Sequence, residues 1–393
     1  MSLWRSLLFF GVVGALAALM HTYLYRRLVR DTTTAARVRK IAIAVIVTMA
    51  IVFPVERLVL RAIPRSWGVA LWTVTWFWIG FATYLFLWLV LFDSAKALRA
   101  LYVRFVRAEK SPEPVSPERR LFLSRALAGG ALMGSGALAG YGFWRAFEPA
   151  ELTEMPIRLS RLPKALDGLT VVQLTDLHIS HIIRRPFVEE LVRRTNALKP
   201  DLVAITGDLV DGNVDQLAEA VAPLRNLKSR YGTFFVTGNH DYYWGDVQWA
   251  AALSRMDFQV LRNRLVRIGD AGASLDLVGV DDWGARNLRR RGGYDLERAI
   301  VGRTPDRAAV LLAHEPANFE TAVASGMDLQ LSGHTHGGQL FPMTALVGMR
   351  WRYSRGLYTH GDGQLYVSRG IGFWGPPLRV GSNPEIVKVI LLA

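Results

Sequence analysis

The sequence predicts an α/β domain preceded by an all-α transmembrane region of about four helices. Three observations carry this. The apolar residues of the 393-residue chain concentrate in its first 147 positions. The remainder alternates short apolar runs with helical patterns. Nearly every one of those runs ends in Asp, Asn or His, the place where α/β folds put their sites. The expected domains are therefore a membrane region, 1–147, and a soluble domain, 148–393.

Composition narrows the chemistry. Half of the residues are hydrophobic (51%) and the mean hydropathy is positive, which is high for a purely soluble protein. There is no cysteine, which excludes disulfides, thiolate zinc sites and cysteine nucleophiles. The net charge of +14 invites a nucleic-acid reading, but many arginines flank apolar segments and no nucleic-acid motif is present, so no specific nucleic-acid partner is expected.

Four spans are expected, at 6–24, 41–63, 67–92 and 126–144. The second is apolar only over Ile41–Val55, carries Pro54, and must continue past Glu56 and Arg57 to cross. The third has 26 residues and no charge. The fourth has Gly130/Gly134 and Gly136/Gly140 at the small-xxx-small spacing of closely packed membrane helices. The loop after span one carries Arg26, Arg27, Arg30, Arg37, Arg39 and Lys40; the loop before span four is equally basic. The positive-inside rule puts both in the cytoplasm and everything after Phe147 outside it. The stretch 118–123, with Arg119-Arg120, either resembles a twin-arginine export signal or is a plain cytoplasmic charge flank, and Ala137-Leu138-Ala139 resembles a cleavage site that is expected to stay uncut. Asp93–Lys110 reads as a helix along the membrane surface, and Ser111–Glu118, with its prolines, as a linker. No span carries the buried charges that transport needs. The expected location is the bacterial inner membrane, with the bilayer as a partner.

In the soluble half, Leu169–Leu174 is a strand pattern ending in Asp176 and His178, which share a face as i and i+2. A helix follows over Phe187–Leu198. Leu202–Thr206 ends in Gly207-Asp208, a helix follows from about Val214 to Ser229, and Thr233–Val236 ends in Gly238-Asn239-His240-Asp241. Leu275–Val280 leads to Asp281-Asp282, and Ala308–Ala313 to His314. Leu329–Leu331 runs into Ser332–Gln339, S-G-H-T-H-G-G-Q, where His334 and His336 again share a face and the glycines allow a tight turn. Leu365–Val367 and Ile386–Leu392 complete the strands, with Trp351–Tyr358 and Gly370–Leu378 as aromatic, Arg-rich loops.

The strand ends thus collect Asp176, His178, Asp208, Asn239, His240, His314, His334 and His336. These oxygen and nitrogen donors suit divalent Mn, Fe, Zn or Co. They are too many for one closed zinc site, but two ions about 3.5–4 Å apart, bridged by one carboxylate, would use them all. Such a pair clamps the attacking and leaving oxygens of an in-line phosphoryl displacement, so a dinuclear hydrolase with a phosphate ester as substrate is expected.

The series D-x-H, G-D, G-N-H-D, a lone His and G-H-x-H resembles the calcineurin-like metallophosphoesterases. With Tyr366–Gly370 and the Asn383-Pro384-Glu385 ending, it resembles the bacterial membrane-associated or exported branch (YkuE/YaeI type), over about Leu169 to Leu392. The resemblance implies a four-layer α/β/β/α sandwich. It also implies one metal on Asp176, His178 and His336, a second on Asn239, His314 and His334, and Asp208 bridging both together with a hydroxide nucleophile. His240 would be the general acid, oriented by Asp241. The expected activity is hydrolysis of a phosphomonoester or phosphodiester, the substrate being amphiphilic or envelope-derived. The alternatives are a silent metal-binding scaffold or sensor, and a lipid or nucleotide pyrophosphatase.

Other residues carry weaker expectations. His181 is read as a loop residue, and His21 and His360 as structural or exposed. Asp281 and Asp282 either cap a helix or line the rim. Arg286–Arg291 is either a solvated loop or a contact for anionic headgroups or phosphate. Trp351, Phe373 and Trp374 either dip into a bilayer interface or pack.

Overall fold

A computed structural model of the chain describes residues 3–62, 65–107, 116–270, 272–285 and 292–393. The chain divides into two compact units, one of residues 1–144 and 375–378, the other of residues 145–374 and 379–393.

The first unit is helical: α1 (Leu3–Tyr25), α2 (Ala36–Ala62), α3 (Arg65–Tyr102) and α4 (Pro117–Phe147). Two stretches, Trp67–Phe105 and Pro117–Phe147, are long and apolar enough to cross a membrane. On α2 the side chains of Ile41, Ile43, Val45, Val47 and Ile51 all point outwards, an arrangement that suits hydrocarbon and not water. Leu24, Leu85, Leu89 and Ala131 form the buried centre of this unit. Within it Trp78 donates to His21 Nε2 at 3.1 Å, and Arg27 pairs with Asp93 at 2.7 Å. His21 is therefore structural.

Three expectations change here. Residues from Asp93 onwards are not a separate surface helix; they continue α3 and then a π-helical turn, Val103–Arg107, beyond which 108–110 lie outside the described residues. The proline linker also lies outside them at 111–115, while Pro117 and Glu118 open α4, where a proline costs nothing because the first N–H has no helical partner. Of the four glycines in small-xxx-small spacing, Gly134 alone has a described neighbour close to where a side chain would begin, namely Trp88.

Among the described residues the second unit holds twelve strands. They are β1 (Glu151–Arg158), β2 (Leu169–Leu174), β3 (Leu202–Thr206), β4 (Thr233–Val236), β5 (Gln259–Val260), β6 (Arg264–Asp270), β7 (Ala273–Gly279), β8 (Ala309–Leu312), β9 (Leu329–Ser332), β10 (Gly356–His360), β11 (Gly363–Val367) and β12 (Glu385–Leu392). Between them lie α5 (Arg185–Ala197), α6 (Val214–Val221), α7 (Asn239–Trp244), α8 (Asp246–Ser254), α9 (Leu296–Ala299), α10 (Phe319–Ala324) and α11 (Met343–Arg350). Two mixed six-stranded sheets result, in the orders β1-β12-β2-β3-β4-β5 and β10-β11-β9-β8-β7-β6. Within them β2-β3-β4-β5 and β11-β9-β8-β7 are parallel.

The alternation of the strands sorts their side chains. Val171, Leu202 and Phe234 of one sheet share a buried cluster with Leu277, Val310 and Leu329 of the other. The next residues along, Val278 and Leu311, turn the opposite way and meet Leu296, Ala299 and Ala322 on α9 and α10. Strands β1 and β10 sit at sheet edges. Pro156 is tolerated in β1 because an edge strand has a side that needs no donor. The segment expected as a loop at Trp351–Tyr358 enters β10 at Gly356.

Leu277→Ala removes a fully buried side chain from the shared cluster and is expected to cost about 2–5 kcal/mol. Leu152→Ala, on edge strand β1 where the side chain is 44% exposed, is expected to stay within about 0.5 kcal/mol. Thermal melts of the two variants check this: the first should lose at least about 4 °C.

Candidate metal centre

Five strand ends build one site. Strands β2, β3 and β4 deliver Asp176 and His178, Asp208, and Asn239 and His240; β8 and β9 deliver His314, and His334 and His336. Asp176, His178, Asp208, His314 and His336 are buried. Two glycines permit the approach. A side chain at Gly333 would collide with Thr175 and the Asp176 carboxylate, and one at Gly207 would sit 2.6 Å from the His314 ring.

The contacts form two connected groups. In the first, His178 Nε2 lies 3.0 Å from His336 Nε2, and His336 Nε2 lies 3.3 Å from Asp176 Oδ1. In the second, His334 Nδ1 lies 3.0 Å from Asn239 Oδ1 and 3.2 Å from His314 Nε2, which is itself 3.2 Å from Asp208 Oδ2. The same Asp208 oxygen is 3.8 Å from His178 Nε2, so this carboxylate stands next to both groups. Each of the sets Asp176/His178/His336 and Asp208/His314/His334 brings its donor atoms within 4.8 Å of one another.

These residues fit divalent cations. Two donors held at right angles about 2.1 Å from one ion stand about 3.0 Å apart, which is the spacing of the facing ring nitrogens. The far sides of the rings are also fixed. The His314 Nδ1–H donates to the Thr206 carbonyl at 2.9 Å, and the His178 Nδ1–H to Asp211 at 3.1 Å. Outer partners of this kind aim a ligand's remaining nitrogen at the ion.

Charge is arranged accordingly. Burial alone would push the Asp176, Asp208 and Asp211 carboxyls up, but the surrounding imidazoles outweigh it and hold all three well below the usual carboxylate range. Burial and neighbouring positive charge pull His334 down to about 3 and His336 to about 4, leaving both rings neutral at pH 7. For His314 the nearby carboxylates, Asp208 first, overcome burial and hold it well above its ordinary value. His240 is raised to about 9: burial lowers it, and Asp208 and Asp211 more than offset that.

Asp241 does not orient His240. Its carboxylate accepts from the backbone N–H groups of Gly238 at 2.8 Å and Leu209 at 3.0 Å, tying two ligand loops together, and burial beside Asp208 raises it to about 7. Consecutive helical residues point about 100° apart, so within α7 Asp241 turns away from the face that carries His240. The partner of His240 is Asp211, whose Oδ1 lies 2.5 Å from its Nδ1. The sequence reading missed Asp211; its signal is the G-D-x-x-D spacing after β3. It also missed Arg379, a fully buried guanidinium that stands 3.0 Å from His336 Nδ1 and donates to the Arg369 carbonyl at 2.8 Å.

The weaker candidates also resolve. Asp281 pairs with Arg262 and accepts from Thr237, a structural role. Asp282 accepts from the backbone of Ala285, and burial raises it to about 7. His181 lies half-buried in the loop after β2, its carbonyl accepting from Arg184, and His360 is exposed on β10. Arg286–Arg291 lies outside the described residues. Phe373 is buried against Phe147, with ring centres 5.3 Å apart. Trp351 sets its ring edge-on to His334 at 5.0 Å, and Trp374 is half exposed, 6.2 Å from the His240 ring.

Residues 169–338 match the calcineurin-like phosphoesterase family model. Among similar proteins is a Bos taurus transmembrane protein with metallophosphoesterase domain, 39% identical over 73% of this chain and 66% of its own length. The chain thus spans just under two thirds of that relative, and 62% of a similarly named Danio rerio protein. An uncharacterized metallophosphoesterase of Helicobacter pylori is 39% identical over 70% of this chain and 73% of its own. The uncharacterized metallophosphoesterase YkuE of Bacillus subtilis is 35% identical over 70% of this chain and 97% of its own. On this similarity, which takes in every residue of the two ligand groups up to His336, the chain belongs to the calcineurin-like metallophosphoesterase family.

Proposed function

We propose that this chain is a membrane-anchored phosphoesterase that hydrolyses a phosphomonoester or phosphodiester at a pair of divalent cations. The observation that carries the reading is Asp208, one carboxylate standing next to two groups of buried nitrogen and oxygen donors. Asp176, His178 and His336 would hold one ion, Asn239, His314 and His334 the other, and Asp208 both. Bound there, the ions supply an acidified water as nucleophile and neutralise charge on the phosphoryl oxygens.

The chain's own residues do the rest. His240 has its Nδ1 taken by Asp211, so Nε2 is the atom that protonates the leaving oxygen. With its titration raised to about 9, His240 carries that proton at neutral pH. Arg379 packs behind the ring of His336, its guanidinium 3.0 Å from Nδ1. The four-layer arrangement belongs to the same reading and is supported by the way Leu277 and Val278 enter opposite clusters. Anchoring in a bacterial inner membrane, with this domain outside the cytoplasm, is supported by the two long apolar helices and the basic loops beside them.

Asp208→Asn is expected to lower the bound transition metal, read by elemental analysis, and to cut turnover of bis-p-nitrophenyl phosphate by at least about a hundredfold, with the circular dichroism unchanged; full activity in this variant would end the proposal. His240→Ala should cost about 10²–10⁴ with an alkyl leaving group and clearly less with p-nitrophenolate, which leaves without a proton. The proton on His240 is present below its titration and lost above it, so kcat/KM should fall on an alkaline limb. In Asp211→Asn that limb should move towards the ordinary histidine range, which a pH–rate profile reads directly.

A further inference from the structure

The ligand loop runs straight on from Gln339 through Leu340 and Phe341 into α11. The two are packed together: a side chain at Gly338 would meet the Met343 carbonyl at 2.5 Å, and Leu340 bridges to Val380. Helix α11 buries only Val347. Met343, Leu346 and Met349 are 52%, 45% and 84% exposed, and Phe341 before them 54%. At 100° per residue, Met343, Leu346, Met349 and Arg350 fall within one arc of about 120°. A helix of a soluble domain turns such an arc towards the core; this one turns it away. From Phe341 to His360 there is no Asp or Glu, while Arg350 and Arg355 follow the apolar arc and are exposed; Arg352 between them pairs with Glu320 of α10. Arg350 lies over the Trp351 ring at 4.8 Å, and Trp351 in turn touches His334.

We propose that Phe341 and α11 insert into the interfacial layer of an anionic bilayer, holding the metal centre at headgroup depth, so that the phosphate ester it hydrolyses belongs to a membrane amphiphile. The bilayer is the occupant the observations favour. An apolar face rimmed with arginine suits an anionic lipid surface. At eight residues α11 is about 12 Å long, right for lying in the interface and too short to cross. The same chain carries two helices long and apolar enough to span a membrane, and the later of them, α4, ends three residues before β1 begins. The substrate half of this inference rests on the phosphoesterase reading; the docking half does not.

The absence of cysteine makes the test clean. Leu346→Cys in the full-length chain is labelled with an environment-sensitive fluorophore and placed in nanodiscs of equimolar phosphatidylglycerol and phosphatidylcholine. Expected are a blue-shifted emission and quenching by lipid spin-labelled near the top of the acyl chain. An unshifted label that iodide quenches as freely as in detergent overturns docking, as does label-to-label quenching without lipid quenching, which would indicate a second copy on this face. In a second arm, the triple variant Met343→Ser, Leu346→Ser, Met349→Ser should keep its turnover of bis-p-nitrophenyl phosphate within about twofold. It should lose at least about tenfold on a phosphatidyl p-nitrophenyl ester in the same nanodiscs. Equal rates for variant and wild type on the lipid ester overturn the substrate half. If the wild type turns over neither ester, the phosphoesterase reading fails and the substrate half with it, while the quenching still decides docking.

Discussion

Everything in the second unit is arranged around the burial of charge at five strand ends. Ionised carboxylates taken out of water need compensating partners, and Asp176 and Asp208 are almost wholly enclosed. Imidazoles supply the compensation, yet there are too many in one place for all to be protonated. The outcome is a division of roles. The carboxylates stay ionised, His334 and His336 are driven neutral, and His240 and His314 are held above their ordinary values by the carboxylates beside them. Rings facing one another across 3.0–3.2 Å, beside anionic oxygens, make a poor hydrogen-bond network and a good nest for cations.

The backbone also carries strain for this arrangement. Asp176, His178, Asp208, His334 and His336 all have φ between 46° and 71°, a left-handed conformation that costs of order 1–3 kcal/mol per residue and persists only where the surroundings over-determine it. The surroundings here are the parallel strands. β2, β3 and β4 of one sheet and β8 and β9 of the other are buried along their whole length, apart from one half-buried position in β2. Backbone bonds between neighbouring strand ends then fix the turns, as when the Asp176 N–H donates to the Gly207 carbonyl and the Gly333 N–H to that of His314. A rigid core positions residues that would not hold these conformations alone.

Legibility in the sequence follows from the same physics. The ligands could be read because short apolar runs mark buried strands and alternation puts i and i+2 on one face. Asp211 and Arg379 could not be read that way, since they sit in loops where no periodicity operates. Asp241 misled because adjacency to His240 in sequence became divergence in space once α7 formed. Strand β1 lacks an apolar run, being an edge strand that carries Pro156, and β6 alternates arginine with half-buried residues. Helix α11 hid for the opposite reason: its apolar residues face outwards, so the core-facing pattern that announces a helix is inverted.

Asp211 ties the two halves of the proposed chemistry together. One of its oxygens takes the Nδ1 proton of His178, a residue of the first ligand group, and the other takes that of His240, the proposed acid. Each bond polarises the ring it serves. On His178 it raises the basicity of the nitrogen aimed at the ion; on His240 it stabilises the imidazolium. The two demands compete for one negative charge. A cation held at His178 would draw on the same carboxylate that holds the His240 proton. A single carboxylate, spaced three residues from Asp208, thus serves both rings.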